Sequence, residues 1–430
     1  MILLTLKTIW GKIKRHLNIE SLYTLPLYHR IFMRRKVKKI RKKAKIKVLF
    51  ISISPSMWKV DSLYRAMLKH SRFEVEILLA PNMTLSDEDA RCRELMQLRA
   101  FFDKKEYHYV EWCNNNGKTK YDRIPKDYDI LFYPQPWAGL IPHKLDFLQN
   151  KGRVMMSCLY AFHSVTQSWD YNKWYQQASW LDLYENELTI QEARKAKDNK
   201  GINSIITGIP VMDAFRMGKY TSPWKPQPTS CKKIIWAPHW TIRDKCSVLP
   251  SYSHFLEIAE YMLKFAQAHV AYYQFAFKPH PWLTRELYKH PDWGKKRTDE
   301  YYAQWEHGSN TQLELGEYID LFMTSDAMIH DSCSFCCEYM YTGKPVLFIA
   351  KNEEKQVSLL NEMAKEAFYS QYIGHTLDDI ESFIHDRVLN NLDPLKDTRR
   401  LFVDKYLTPP NKKAAAENII DAILGAQSYA

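Results

Sequence analysis

Residues 325–349, SDAMIHDSCSFCCEYMYTGKPVLFI, compress a strand, a turn, a helix and a second strand into 25 residues. That order gives a βαβ unit, and with it a parallel sheet whose faces need helices. Residues 327–329 are a short apolar run, Asp331-Ser332-Cys333-Ser334 is a turn rich in capping groups, and residues 335–341 read as a helix ended by Gly343 with Pro345 beyond it. Hydroxyls and free N–H groups gather at the start of that helix, where an anion such as a phosphate is favoured. The same residues serve equally well as plain N-caps, so at this point the segment is either an ordinary βαβ unit or an anion site.

The alternation extends along most of the chain. Residues 45–54 (KIKVLFISIS), 73–79, 129–133, 154–159 and 202–207 read as strands, with helical stretches at 59–70, 84–105 and 143–149 and two more before 202. Residues 218–232 concentrate Pro, Ser and Thr without periodicity and read as a linker. Beyond them the pattern restarts with strands at 233–237, 273–278, 327–329 and 346–349, and helices at 252–269, 353–367, 377–390 and 411–426. The expected organisation is an arm over 1–45, a doubly wound α/β domain over 46–217, the linker, a second such domain over 233–410, and a final helix over 411–430 crossing back toward the first. Ligands of such domains bind at the C-terminal ends of the strands.

The net charge of +12 suggests nucleic acid until it is located. Residues 1–47 carry 15 Lys/Arg against the single acid Glu20, so the rest of the chain is slightly acidic. Ile2, Leu3, Leu6, Ile9, Trp10, Ile13 and Leu17 recur at helical spacing, with Lys7, Lys12, Lys14 and Arg15 on the other side. This pattern fits a basic amphipathic helical arm lying on an anionic membrane surface, peripheral on the cytoplasmic face of a bacterial inner membrane, with the basic run from Arg34 to Lys47 adding attraction. A basic arm also suits nucleic acid, but no nucleic-acid partner is expected. No apolar run reaches the length of a membrane span. The eight cysteines have no framework spacing and fit a reducing compartment, and Cys333-x-x-Cys336 lacks the companion ligands of a zinc site.

Four small motifs follow expected strands. They are Ala161-Phe162-His163-Ser164, Gly208-Ile209-Pro210 with Asp213, the run from Ala237 to Asp244, and Lys278-Pro279-His280-Pro281. A histidine at a strand end can take a proton from a hydroxyl near neutral pH, or serve only structurally. The run from Ala237 brings together His239, Trp240, Thr241 and Arg243, while two prolines stiffen the loop around His280. P-loop, dinucleotide, zincin and hydrolase-elbow motifs are absent, and no cofactor or metal is called for. Asp87-Glu88-Asp89 suits a helix N-terminus better than a metal.

In order and spacing, residues 150–350 resemble the CDP-glycerol glycerophosphotransferase family, the teichoic-acid and capsule polyol-phosphate transferases. The family pattern runs Trp-His-Gly-Thr, Gly-Tyr-Pro-Arg-x-Asp, Tyr-Ala-Pro-Thr-Trp-Arg, a His-Pro loop, then Ser-Asp-x-x-Ile-Thr-Asp-Tyr-Ser-Ser with Asp/Glu-Tyr and Lys-Pro downstream. Here the matching residues are Phe162-His163-Ser164, Gly208 to Asp213, Trp236-Ala237-Pro238-His239-Trp240, Pro279-His280-Pro281, Ser325-Asp326 through Asp331 and Ser334, Glu338-Tyr339 and Lys344-Pro345. The departures are Phe162 and Ser164 around the first histidine, Val211 for Arg, and Ser332-Cys333-Ser334 for Tyr-Ser-Ser.

The resemblance implies a GT-B-like fold of two Rossmann-like domains. It further implies transfer of glycerol phosphate or another polyol phosphate from a CDP-linked donor to a lipid-linked glycan, with release of CMP. His163 then lies where the base sits, and His280 with the Ser332, Cys333 and Ser334 turn lies at the donor diphosphate. Glu338 lies near the ribose, and His239, Arg243, Lys278 and Asp331 complete the expected donor-binding set. The alternatives are a glycosyltransferase of the same fold using a nucleotide sugar, and an inert membrane or nucleic-acid adaptor driven by the arm.

Overall fold

The computed structural model describes residues 26–85, 87–113, 120, 123–134, 139–147, 149–150, 152–159, 161–164, 171–243, 253–409 and 411–426. The amphipathic segment 2–17 and Asp244 lie outside the described residues, as do the side chains of Cys333 and Ser334. The described residues form two units, one drawn from 1–161, 167–213 and 409–430 and the other from 162–166 and 214–408.

The first unit holds a seven-stranded sheet made of β1 (Ile46–Ser52), β2 (Phe73–Leu79), β3 (Tyr109–Glu111), β4 (Ile130–Tyr133), β5 (Val154–Cys158), β6 (Leu181–Tyr184) and β7 (Ser204–Ile206). Their order is β3-β2-β1-β4-β5-β6-β7, and every pair is parallel. The central strands β4 and β5 are buried along their whole length because helices cover both faces, which is why they read as unbroken apolar runs. Asp213 fixes the chain's last helix to this unit: its two carboxylate oxygens accept from the N–H groups of Ala415 (2.7 Å) and Ala416 (2.9 Å) at the start of the helix Ala415–Leu424. Gly208, at φ +73°, sits against Pro409 and Ala415, where a side chain would collide. The Gly208 to Asp213 motif is thus the seat of that helix.

Basic residues 34–41 form a helix continuous with Pro26–Tyr28 and His29–Met33. Met33, Val37 and Ile40 are buried in the same core as Ile419, Ile420 and Ile423, and Arg41 donates to the carbonyls of Ala422 and Ile423 (2.8 Å each). That pairing satisfies orphan carbonyls at a helix C-terminus with a cation. This stretch is therefore part of the folded body, with Arg34, Arg35, Lys38 and Lys39 left exposed on its outer side.

The second unit holds β8 (Lys232–Ala237), β9 (Tyr273–Phe277), β10 (Thr311–Leu313), β11 (Ala327–His330), β12 (Val346–Ile349) and β13 (Tyr372–Gly374) in the order β10-β9-β8-β11-β12-β13, again all parallel. Its core is strongly aromatic, with Trp236 stacked on Phe277 (4.9 Å) and Phe255 (5.7 Å) and Trp305 close behind. The strand order reverses between β8 and β11, so the crevice at their C-terminal ends is where a ligand of this unit belongs.

Several elements differ from the sequence expectation. β3, β6, β10 and β13 were not anticipated, the described residues of the stretch expected as a helix over 143–149 hold a 3-10 turn (His143–Leu145), and the helix expected over 353–367 is two, Glu353–Val357 and Glu362–Tyr369, the second capped by Asn361. The helix Lys396–Tyr406 was also missed.

Candidate active site

All ten residues singled out by the sequence lie in the second unit. The loops after its central strands are tied to one another by backbone and side-chain bonds. His280 N–H donates to the carbonyl of Pro238 (3.0 Å), joining the β9 and β8 loops. Asp331, the first residue past β11, spans the switch point: Oδ1 accepts from the N–H of His239 (2.5 Å), and Oδ2 accepts from His254 N–H (2.9 Å) and the Ser253 hydroxyl (3.0 Å). Burial pushes its carboxyl up to about 6 against the pull of these bonds. Only 3% exposed, with both oxygens engaged by protein donors, Asp331 clamps the loops together.

Three histidines stand at the ends of three neighbouring strands, and each has the same local bond. Nδ1 of His239 accepts from Thr241 N–H (3.4 Å) and hydroxyl (3.0 Å), Nδ1 of His280 from Trp282 N–H (3.1 Å), and Nδ1 of His330 from Ser332 N–H (3.2 Å). An imidazole nitrogen that accepts a backbone N–H carries no proton, so each neutral ring has its hydrogen on Nε2. Burial lowers all three from the usual histidine value. His280 falls to about 3, helped by the nearby Lys278 and Arg285 charges, His330 falls to about 4, and His239 falls well below, with His280 contributing. Near neutral pH these rings are uncharged donors. His239 and His280 meet edge to face at 4.9 Å, and His330 donates to Oε1 of Gln371 (2.7 Å).

Lys278 is buried, its charge acts on His280 and its Nζ lies 5.8 Å from the Tyr318 ring centroid, and the Tyr318 hydroxyl donates to the buried carboxylate of Glu338. These contacts link the residue after β9 to the last residue of the helix Cys333–Glu338. Ser332 is the N-cap residue of that six-residue helix, so any anion there would be met by individual N–H groups and not by a long helix dipole.

Arg243 does not join this cluster by any bond described. Its guanidinium pairs with Glu286 (2.5 Å), on which Arg285 (3.2 Å) and Lys289 (3.7 Å) also converge. Burial pushes the Glu286 carboxyl up, but Arg243 and the other two cations outweigh it and hold it below the usual range. Arg243 is thus held by an ion pair at the edge of the second unit's strand-end loops.

His163 is 3% exposed, and the strand before it, β5, belongs to the first unit. Its carbonyl accepts from Nδ2 of Asn361 (2.9 Å), and the carbonyl of Ser164 accepts from Asn361 N–H (3.1 Å). Phe162 packs near Tyr341 (6.3 Å). Lys344 donates to the carbonyl of Met323 (2.7 Å), a structural bond. Tyr318, Gln371 and Asn361 were missed by the sequence reading. Asn361 had a detectable signal, an N-cap followed by the apolar-periodic run EMAKEAF, whereas Tyr318 had none.

Among the described residues no three His, Cys, Asp or Glu side chains converge as a metal site, and no helix is long and apolar enough to cross a membrane. No curated protein matches the sequence. Among solved structures, the wall teichoic acid polymerase TagF superposes with a TM-score of 0.56 at 14% identity, covering 95% of this chain and 97% of that one. A UDP-N-acetylglucosamine 2-epimerase superposes with a TM-score of 0.54 at 14% identity, covering 90% and 98%. At such identities these likenesses speak for the fold alone, which is α/β and GT-B-like. The sequence itself matches the family described as CDP-Glycerol:Poly(glycerophosphate) glycerophosphotransferase over residues 160–425, the span that carries every motif above. The chain belongs to that family and is a CDP-glycerol glycerophosphotransferase-like enzyme.

Proposed function

We propose that the enzyme moves glycerol phosphate, or a related polyol phosphate, from a CDP-linked donor to a hydroxyl of a lipid-linked glycan, releasing CMP. The observation that carries this reading is the pair of neutral, Nε2-protonated imidazoles, His239 and His280, at the switch point of a chain of this family. Two uncharged N–H donors with Lys278 beside them suit a diphosphate, because they stabilise charge that grows on phosphoryl oxygens without needing a proton of their own.

In this mechanism His163 takes the proton of the acceptor hydroxyl as its oxygen attacks the β-phosphorus. The bond between that phosphorus and the bridging oxygen breaks, and CMP leaves with the bridging oxygen. The turn at 331–334 offers backbone N–H groups to the donor phosphates, and Glu338, oriented by Tyr318, receives the ribose hydroxyls. A TagF variant soaked with CDPG is among the solved structures of similar fold, which makes CDP-glycerol the first donor to try.

The exposed Arg34, Arg35, Lys38 and Lys39, with Leu27, Ile31 and Phe32 exposed on the preceding turns, support a peripheral docking on anionic lipid. The purified chain is expected to release CMP from CDP-glycerol in the presence of a glycan acceptor and to co-sediment with vesicles containing anionic lipid. Turnover of UDP- or GDP-linked sugars with no use of CDP-polyols would identify a glycosyltransferase instead.

A further inference from the structure

The helix Glu362–Tyr369 has a buried hydrogen-bonding residue just outside each end, and each grips a different part of the machinery. At its start Asn361, 0% exposed, uses its side chain twice: Oδ1 accepts from Ala364 N–H (2.9 Å) as an N-cap, while Nδ2 donates to the carbonyl of His163 (2.9 Å). Its backbone N–H holds the next carbonyl, that of Ser164 (3.1 Å). Past the other end, Gln371 Nε2 donates to the carbonyl of Ala367 (3.1 Å), which leaves Oε1 to accept from His330 Nε2–H (2.7 Å). His330 in turn accepts from the N–H of Ser332 (3.2 Å), the residue that opens the helix Cys333–Glu338. His330 stands where the family pattern has Thr, and its ring spans the gap to Gln371. Every group in this chain of bonds is buried, where a lost partner leaves a desolvated polar atom behind, so the arrangement is held to one geometry.

We propose that this helix is the spacer that sets the base against the donor turn. Asn361 is a positioning residue for His163, and Gln371 is a positioning residue for the turn at 331–334, acting through His330. The inference rests on the proposed roles of His163 as base and of the turn as phosphate holder. Capping alone needs only an oxygen acceptor, which Asp or Ser also provides, whereas the bond to His163 needs the amide NH2.

The test compares Asn361→Asp, Asn361→Ser and Gln371→Leu with the parent and with His163→Ala, all as full chains releasing CMP from CDP-glycerol. Asn361→Asp keeps the cap and turns a carboxylate oxygen toward the His163 carbonyl, and Asn361→Ser keeps the cap but falls short of it. Both are expected to lose kcat by about 10²-fold, the cost of misplacing a reacting group by roughly 1 Å, with the KM for CDP-glycerol unchanged. Asn361→Ser supplies the reading if the buried carboxylate prevents folding. Gln371→Leu is expected to raise that KM, because it loosens the turn and leaves His163 in place. Parental kcat in Asn361→Ser alongside an inactive His163→Ala would overturn the spacer while sparing the base. Parental kcat in His163→Ala would overturn the base assignment itself.

Discussion

Two substitutions at His280 separate its two nitrogens. Nδ1 accepts the N–H of Trp282, and Nε2 carries the hydrogen that the proposed mechanism offers to substrate. Asn places its amide near the position of Nδ1 and can keep the local turn. Gln reaches the position of Nε2 and can keep the outward donor. If donation from Nε2 to a phosphoryl oxygen is what matters, His280→Asn should behave as a lost preorganised donor, with kcat down about 10²- to 10³-fold, or about 2.7–4 kcal/mol of transition-state stabilisation. His280→Gln should recover most of that loss, since a neutral amide N–H replaces a neutral imidazole N–H. The ring is held at about 3, so no rise in rate is expected from this residue on acidifying from pH 7 to pH 5.5. The assay is steady-state CMP release from CDP-glycerol across that range, with thermal unfolding to confirm that each variant is folded. An Asn variant as active as the parent, or a rate that climbs on acidification and loses the climb in His280→Gln, would refute the neutral-donor argument.

Other consequences follow from buried groups. Lys197, its side chain 0% exposed, pairs with Asp182 (2.5 Å), which also receives the hydroxyls of Tyr184 (2.7 Å) and Ser157 (3.2 Å). Lys197→Met should cost about 3–5 kcal/mol by stranding that carboxylate, and Lys197→Met with Asp182→Leu should recover part of it. Urea unfolding checks this, and equal losses in the single and double variants would contradict it. Asp213→Ala removes the acceptor for Ala415 and Ala416 N–H and should cost about 1–2 kcal/mol, read as faster hydrogen exchange along Ala415–Leu424. Acid should destabilise the second unit. His280 and His330 titrate in the fold at about 3 and about 4, below their ordinary value, so from roughly pH 6.5 down to pH 4 the unfolded chain binds more protons. Each ring then removes about 1.4 kcal/mol per pH unit. Asp331, raised to about 6, works in the opposite sense between about pH 6 and 4 and offsets one of them. A melting temperature unchanged between pH 7 and pH 5 would show that the rings are not buried neutral.

The α/β alternation was legible because β1, β8, β9, β11 and β12 are largely apolar and β2 (FEVEILL) alternates apolar with acidic residues before an apolar end, each set off by turn residues or by helices of clear period. Strand-end reasoning found His239, His280 and Asp331 for the same cause: the reversal between β8 and β11 makes those ends converge. β6 escaped because LDLY carries Asp182, a charge that looks like a surface residue until Lys197 folds over it. β10 and β13, TQL and YIG, are too short to show a period. The partners of Arg243 and His163 were illegible for a further reason: Glu286 and Asn361 lie 43 and 198 residues away in the chain, and no local pattern encodes such pairings. Asp331 stood out as a polar residue in a turn, and its clamping bonds to His239 and His254, 92 and 77 residues away, had no local signal.

The most direct test of the account is donor choice by the full chain. Supplied with CDP-glycerol, CDP-ribitol, UDP-N-acetylglucosamine and a GDP-linked sugar, each with a lipid-linked glycan acceptor, the enzyme should release CMP from a CDP-polyol and attach the polyol phosphate to the acceptor. Release of UDP or GDP with sugar transfer, and no CMP from either CDP-polyol, would contradict it.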